Sequence, residues 1–371
     1  MTRIYLDHNA SSPWRPAVAR WMRSARAGRL GNPSSLHREG RAARALVEAA
    51  RVHIARRLGA ADPQQVVFVS GGTEANNLAI HAATQGRPGR AAVTSIEHPA
   101  VLRPMAALAQ RGWQVETLPV TAAGQVAGWP DLGPGDVLAV MRANNETGTV
   151  LDLAAARRSA PDAWLHCDAI QAIGKIAVDF EALGVDTLSV AGHKFGAPLG
   201  VGALVVRDPN RIAPLQLGGG QERGLRSGTQ AAALIEALRI ALDEAIGEQQ
   251  ARAAHTARQR DRLEVLLTQG VADVTVIGDP RARLPNTLCL AFGGVSAEAL
   301  VVRLDALGVA VATGSACSSG SGKPSHVLTA MGAPLRGVLR ISLGPDHGDA
   351  EIDTAGRHIV SAVAQLRRIA A

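Results

Sequence analysis

Residues 187–206 read TLSVAGHKFGAPLGVGALVV: two short apolar runs, Thr187–Val190 and Gly202–Val206, joined by a glycine-rich connection that carries His193 and Lys194. Short runs of Val, Leu and Ala bounded by glycine are the pattern of strands buried on both faces. Working outward, similar runs at Val66–Val69, Ala91–Ser95, Val115–Leu118, Val137–Met141 and Trp164–Cys167 alternate with helical stretches at His37–Leu58, Glu74–Ala83, Ala100–Gln110 and Leu153–Ser159. This alternation predicts an α/β unit built on a mainly parallel sheet. From Gln230 to about Thr268 the chain turns to a long helical stretch dense in Ala, Leu, Glu and Arg. Beyond it, strands near Val274–Ile277, Thr287–Ala291, Val309–Ala312 and Val338–Ser342 and helices near Ala297–Leu307, Val327–Met331 and Ile352–Leu366 predict a smaller α+β unit.

With 371 residues, 47% hydrophobic and 19% charged, the chain has the material for a large core, which excludes disordered, fibrous and low-complexity classes. No apolar run approaches the ~18 residues of a membrane span, and Asp7 and His8 stand where a signal peptide needs its apolar stretch; the expectation is a cytoplasmic protein. The cysteines Cys167, Cys289 and Cys317 are too few and too unevenly spaced for a disulfide framework or a tetrahedral zinc site, and no metal is expected. The net charge of +7 comes from 39 basic and 32 acidic residues, but only Lys175, Lys194 and Lys323 are lysines. The arginines form no run of five like charges and the aromatics number ten, so a nucleic-acid partner is not expected. Arg15, Arg20, Arg23, Arg26 and Arg29 fall near helical spacing and read as a solvated face or a subunit contact.

Against that arginine background each lysine stands out. Lys194 follows an apolar strand and sits among glycines, where the neutral amine is favoured over the ammonium and can form a Schiff base with a carbonyl cofactor; the alternative is an ordinary loop lysine. Asp168, at the end of another strand, is suited to protonate a pyridine nitrogen or to cap a helix, with Gln171 in reach of the same ligand. Ser70-Gly71-Gly72-Thr73-Glu74 ends a strand and opens a helix, a place where backbone N–H groups and the Thr73 hydroxyl hold a phosphate. Cys317 lies in a run of small residues, 313–322, that predicts an exposed loop, where the thiolate fraction of a free thiol is already nucleophilic. Cys167 and Cys289 sit within apolar strands and read as inert core residues.

Together these stretches resemble the cysteine desulfurases, pyridoxal-phosphate enzymes of the class V aminotransferase superfamily, of the group that serves iron-sulfur cluster assembly. The resemblance spans nearly the whole chain: Tyr5-Leu6-Asp7 with Asn9-Ala10, Gly31 to Ser35, Ser70 to Glu74, Glu97-His98, Asn144-Asn145-Glu146, Asp168 with Gln171, Gly192-His193-Lys194, Gly218 to Glu222, Arg226 to Thr229, Gly314 to Cys317, Pro324-Ser325 and Arg340 to Gly344. It implies a fold type I α/β architecture, with a large pyridoxal-phosphate-binding domain over 13–255 and a small domain, 1–12 and 256–371, that carries the Cys317 loop.

By the same resemblance, Lys194 carries the cofactor covalently and serves as base at the substrate Cα. His98 stacks on the ring and moves protons, Asp168 pairs with the ring nitrogen, and Gln171 bonds the ring hydroxyl. Gly72, Thr73 and His193 hold the phosphate, with Thr229 supplied by the second copy of a homodimer. Asn145, also a cofactor contact, and Arg340 bind the substrate carboxylate, and Cys317 takes sulfur from L-cysteine as a persulfide, leaving L-alanine. An iron-sulfur scaffold or another sulfur-acceptor protein is the implied partner. Two departures stand out: Ala191 replaces a phosphate-binding serine of the family, and Ala371 follows closely on the last predicted helix, where many relatives carry a longer scaffold-docking tail. A selenocysteine lyase or another class V aminotransferase is the alternative reading. From a different class, a non-enzymatic basic sulfur carrier that binds tRNA is the remote one.

Overall fold

The computed structural model describes residues 3–24, 26–86, 88–314 and 324–370. In chain order its first half runs β1 (Ile4–Tyr5), α1 (Pro16–Met22), α2 (Arg38–Arg57), β2 (Val66–Val69), α3 (Gly72–Ala83), β3 (Arg90–Thr94), α4 (Pro99–Ala107), β4 (Gln114–Leu118), β5 (Val137–Met141), α5 (Leu153–Ser159) and β6 (Trp164–Asp168). There follow α6 (Phe180–Leu183), β7 (Thr187–Ala191), β8 (Gly202–Val206), α7 (Ala232–Gly247), α8 (Gln249–Gly270), β9 (Val274–Ile277), β10 (Thr287–Phe292), α9 (Ala297–Ala306), β11 (Val309–Ala310), β12 (Ala312–Thr313), α10 (His326–Ala330), β13 (Val338–Ser342) and α11 (Asp349–Ala370).

A seven-stranded sheet takes the spatial order β2-β8-β7-β6-β5-β3-β4. From β7 across to β4 all neighbours pair in parallel, while β8 runs antiparallel to both β7 and β2. The reason is local: residues 192–201 are too short a connection for a parallel crossover, which takes a dozen residues or more, so the chain turns back after β7 and leaves Lys194 at the carboxyl end of that strand. Strands β2, β5, β6, β7 and β8 are buried at every residue. Their alternate residues feed two cores: Phe68, Val140, Cys167, Leu188 and Val205 pack with α2 and α7, whereas Val67, Ala139, Leu204 and Val206 pack with α3 and α4. Each buried Val or Leu contributes about 1.5–3 kcal/mol relative to exposure, and helices on both faces explain why the strands read as unbroken apolar runs.

A four-stranded antiparallel sheet, β12-β13-β10-β9, and the parallel pair β1-β11 complete the described sheets. Along β10, Leu288, Leu290 and Phe292 enter a core shared with α8, α9, α11 and the N-terminal Ile4 and Leu6, while Cys289 and Ala291 turn toward the larger core. Among the described residues no helix is long and apolar enough to cross a membrane.

Three expectations need correction. The stretch from Gln230 to Thr268 is two helices that part at Glu248, whose backbone (φ −100°, ψ −1°) interrupts the run just after Gly247, the poorest helix former in it. The stretch Val309–Ala312 is two strands in different sheets, β11 beside β1 and β12 beside β13. Arg15 is not on a solvated face: it is buried, donating to the Phe195 carbonyl and to Glu248.

Candidate active site

The parallel strands end on one edge of the sheet, and in such sheets ligands sit outside the carboxyl ends of the strands. There β2 delivers Gly72 and Thr73, β3 delivers His98, β5 leads to Asn145, β6 ends in Asp168, and β7 is followed by His193 and Lys194. These residues, with Gln171 and Arg340, line one cavity of about 300 Å³. Thr229 is exposed and lies outside that cavity's lining. Cys317 lies outside the described residues.

The Lys194 amine donates to the carbonyl oxygens of Asn9 at 2.7 Å and Ala10 at 3.0 Å. Asp168 Oδ1 accepts the Ile170 N–H at 3.0 Å, capping a turn where no helix starts, and Oδ2 accepts from Asn76 Nδ2 at 2.8 Å. The second bond belongs to a buried chain. Because a carboxylate only accepts, Asn76 turns its NH2 to Asp168 and its oxygen to His166 Nε2 at 3.1 Å, and His166 Nδ1 meets the Thr187 hydroxyl at 3.0 Å. Burial pushes the His166 pKa down to about 3, so the imidazole is neutral and the chain orients Asp168 without adding charge. Beneath it, Glu97 accepts from the Thr94 hydroxyl and the Met141 N–H; burial and the neighbouring Asp168 push its pKa well above the carboxylate range.

His98 accepts the Ala100 N–H on Nδ1 at 3.1 Å, capping α4, which leaves its proton on Nε2; burial lowers its pKa. Burial and the amines of Lys194 and Lys175 bring His193 down to about 4. Arg340 is buried, with one arm on Asp7 Oδ1 at 2.7 Å and another on the Asn145 carbonyl at 3.3 Å.

These groups fit pyridoxal phosphate. His193 Nδ1 and Arg340 Nε are buried polar atoms without a hydrogen-bond partner among the described residues, as expected of donors and acceptors placed for a ligand. Gly72 opens α3 at the cavity, where a Cβ would press on the Ile170 methyl, and the N–H groups of that first turn suit an anion. Ala191 lines the cavity with a methyl group and no hydroxyl.

Several neighbours of the cavity were named in the sequence without a role. Asp7 is the counter-ion of Arg340. Asn9 is buried and touches Lys194, Lys175, Gln171, Thr287, Asn145 and Asn286. The available signals were the stretch Tyr5 to Ala10, which carries part of the resemblance without a role for Asp7 or Asn9, and the rarity of lysine.

Glu146 is a further case. Its Oε2 accepts from Ser325 Oγ at 2.6 Å, and Ser325 in turn caps α10, fastening the start of that helix beside Asn145. Burial raises the Glu146 pKa to about 7. A carboxyl whose folded-state pKa lies above its unfolded value favours the fold fully below about 4.5, and that contribution is lost as pH rises toward 7. Glu146→Gln keeps the Ser325 bond and stays neutral. Relative to this variant, the cofactor-free wild type is expected to lose on the order of 3 kcal/mol of stability between pH 4.5 and 8. Denaturant unfolding at the two pH values checks this, and parallel curves would contradict it.

The fold and the cavity at its strand ends define a protein of the class-V aminotransferase type: residues 4–354 match the Aminotransferase class-V family, to which the chain belongs. Within it, the chain is 39% identical over its full length to the cysteine desulfurase NifS of Azotobacter vinelandii, covering 94% of that protein. It is 41% identical to an IscS-like cysteine desulfurase of Mycobacterium tuberculosis, over 99% of this chain and 98% of the relative. Among solved structures, a NifS-like protein superposes with a TM-score of 0.88 at 32% identity, over 98% of this chain and 100% of the other. SspA in complex with cysteine gives 0.78 at 31% identity, over 93% and 99%.

Proposed function

We propose that this chain is a pyridoxal-phosphate-dependent cysteine desulfurase that converts L-cysteine to L-alanine and takes the sulfur onto Cys317 as a persulfide, for transfer to iron-sulfur cluster assembly. The observation that carries the reading is the placement of the Lys194 amine and the Asp168 carboxylate on one cavity at the ends of neighbouring strands, in a chain whose full-length relatives bear that activity's name.

In this reading Lys194 would hold the cofactor's carbonyl carbon, Asp168 its ring nitrogen and Gln171 its ring hydroxyl, with His98 over the ring. Gly72, Thr73, His193 and, from the second copy of a homodimer, the exposed Thr229 would hold its phosphate. Pyridoxal phosphate, when bound, supplies an electron sink for bond breaking next to the substrate Cα. Lys194 takes the Cα proton. Asp168, oriented by Asn76 and His166, keeps a proton on the ring nitrogen. Asn145 and Arg340 grip the substrate carboxylate, and Asp7 holds the guanidinium fork in place. The Cys317 thiolate attacks the substrate sulfur: an S–S bond forms, the Cβ–S bond breaks, its electron pair stays with Cβ, and a proton returns there. Sulfur is oxidised as Cβ is reduced, so no further oxidant is required. The division into 13–255 and 1–12 with 256–371 belongs to this proposal, supported by the separate core around Leu6, Leu290 and Leu339. So does action in the cytoplasm, where thiols stay reduced, consistent with the two free, buried cysteines Cys167 and Cys289.

The purified protein with pyridoxal phosphate is expected to turn yellow and to release alanine from L-cysteine in the presence of a thiol reductant. A colourless protein that releases none would overturn the proposal in favour of a non-enzymatic carrier.

A further inference from the structure

Lys175 occupies an adverse place for a lysine. Among the described residues the two partners of its amine are carboxamide oxygens, Gln171 Oε1 at 2.6 Å and Asn9 Oδ1 at 2.9 Å. The residue is half-buried and its amine has no acidic partner among the described residues, and burial together with the positive charges of Lys194 and Arg340 pushes this amine well below its ordinary pKa.

What the amine does there follows from the shape of a carboxamide. The two ends of the Gln171 side chain are nearly equal in size, so its orientation is set by partners alone. Lys175 donates, which requires Oε1 on its side; Nε2 then faces the Asn9 carbonyl, to which it donates at 2.9 Å. The opposite orientation would set NH2 against the amine and oxygen against oxygen. Asn9 cannot relax to accommodate it. Its Oδ1 accepts from both Lys175 and Asn286, its Nδ2 donates to Thr287 Oγ1, and its carbonyl also receives Lys194. One N–H of Gln171 is left over among the described residues, and Gln171 lines the cavity.

We infer that Lys175 is a positioning residue: by donating to Gln171 Oε1 it fixes the carboxamide so that Gln171 presents a hydrogen-bond donor, not an acceptor, to the ring oxygen of pyridoxal phosphate. This rests on the function proposed above. A purely structural pin between residue 175 and the N-terminal segment is the competing account, and it predicts no link to Gln171.

The test measures the dissociation constant of pyridoxal phosphate and the absorbance band of the bound cofactor, in wild type and in Lys175→Met, each with Gln171 intact and with Gln171→Ala. Lys175→Met is expected to weaken binding about tenfold and to shift the band, as loss of one oriented hydrogen bond to a polar ligand does. In the Gln171→Ala background it should change affinity by less than about twofold. Lys175→Gln keeps a donor and should recover most of the affinity. Unchanged binding in Lys175→Met, or an equal loss in both backgrounds, overturns the inference. Melting of the cofactor-free variants reports folding. Where the Met variant does not fold, the Gln variant carries the test: near wild-type affinity supports the inference and about a tenfold loss in both backgrounds overturns it. Wild type that binds no pyridoxal phosphate would overturn the proposed function itself, a result distinct from all of these.

Discussion

Lys194→Ala is expected to abolish alanine release from L-cysteine, by about 10³-fold or more, and to remove the borohydride-trappable link to the cofactor. A positioned base contributes about 10²–10⁴-fold to a proton transfer, and here the same amine also makes the covalent attachment, so both functions go together. The fold should survive. Lys194 leaves two acceptors behind, the carbonyls of Asn9 and Ala10, and the first is still used by Gln171. The phosphate cradle at Gly72 and the Asp168 chain do not involve Lys194, so the variant should still take up pyridoxal phosphate without a covalent bond. Lys175 is the natural rival for the role, because its amine shares Asn9 with Lys194. It lies outside the lining of the cavity that holds Lys194 and Asp168 and is not expected to substitute. Reductive trapping of wild type followed by peptide mapping should place the label on Lys194, and recovery on Lys175 or Lys323 would sink the assignment.

Cys317→Ala is expected to separate cofactor chemistry from sulfur chemistry. Lys194, Asp168, His98 and Arg340 are untouched, so the variant should bind pyridoxal phosphate with the wild-type spectrum and respond to L-cysteine with a spectral change. It should release almost no alanine, because no positioned thiolate remains to attack the substrate sulfur. The other two cysteines cannot stand in. Both are fully buried; burial pushes the Cys289 thiol up to about 12 and the Cys167 thiol well above its ordinary value, so neither supplies a thiolate at neutral pH. Replacing either by alanine should leave turnover in place and lower stability through the cavity created. Unchanged turnover in Cys317→Ala would mean that the thiol is incidental, as in a lyase that does not need it.

The strands buried on both faces of the sheet were legible because such burial writes itself as an uninterrupted apolar run. Val66–Val69, Val137–Met141 and Gly202–Val206 have the same bounds in the sequence reading and in the structure. Residues that sit at strand ends, such as Asp168 and Lys194, were legible for the same reason, since the end of the run marks the edge where ligands bind. What sequence does not display is pairing at a distance. The run Val309–Ala312 looks like one strand, yet β11 joins residues 4–5 and β12 joins residues 339–340, a choice made by tertiary contacts alone. The break at Glu248 is hidden because both flanking segments favour helix, and Arg15, which bonds Glu248, is remote from it in sequence. Asn9 and Lys175 were named in the sequence but given no role on the same ground: the bond that joins them spans more than a hundred and fifty residues, and Asn9 becomes a hub only when the N-terminal segment crosses the ends of β6 and β7.

The most direct test of the account is the position of the sulfur. Wild-type protein loaded with pyridoxal phosphate is given less L-cysteine than enzyme, without reductant, and its peptides are weighed by mass spectrometry. The account predicts one additional sulfur on the peptide that contains Cys317 and an equal amount of alanine in solution; the extra sulfur on the Cys167 or Cys289 peptide, or alanine released with no protein-bound sulfur, would contradict it.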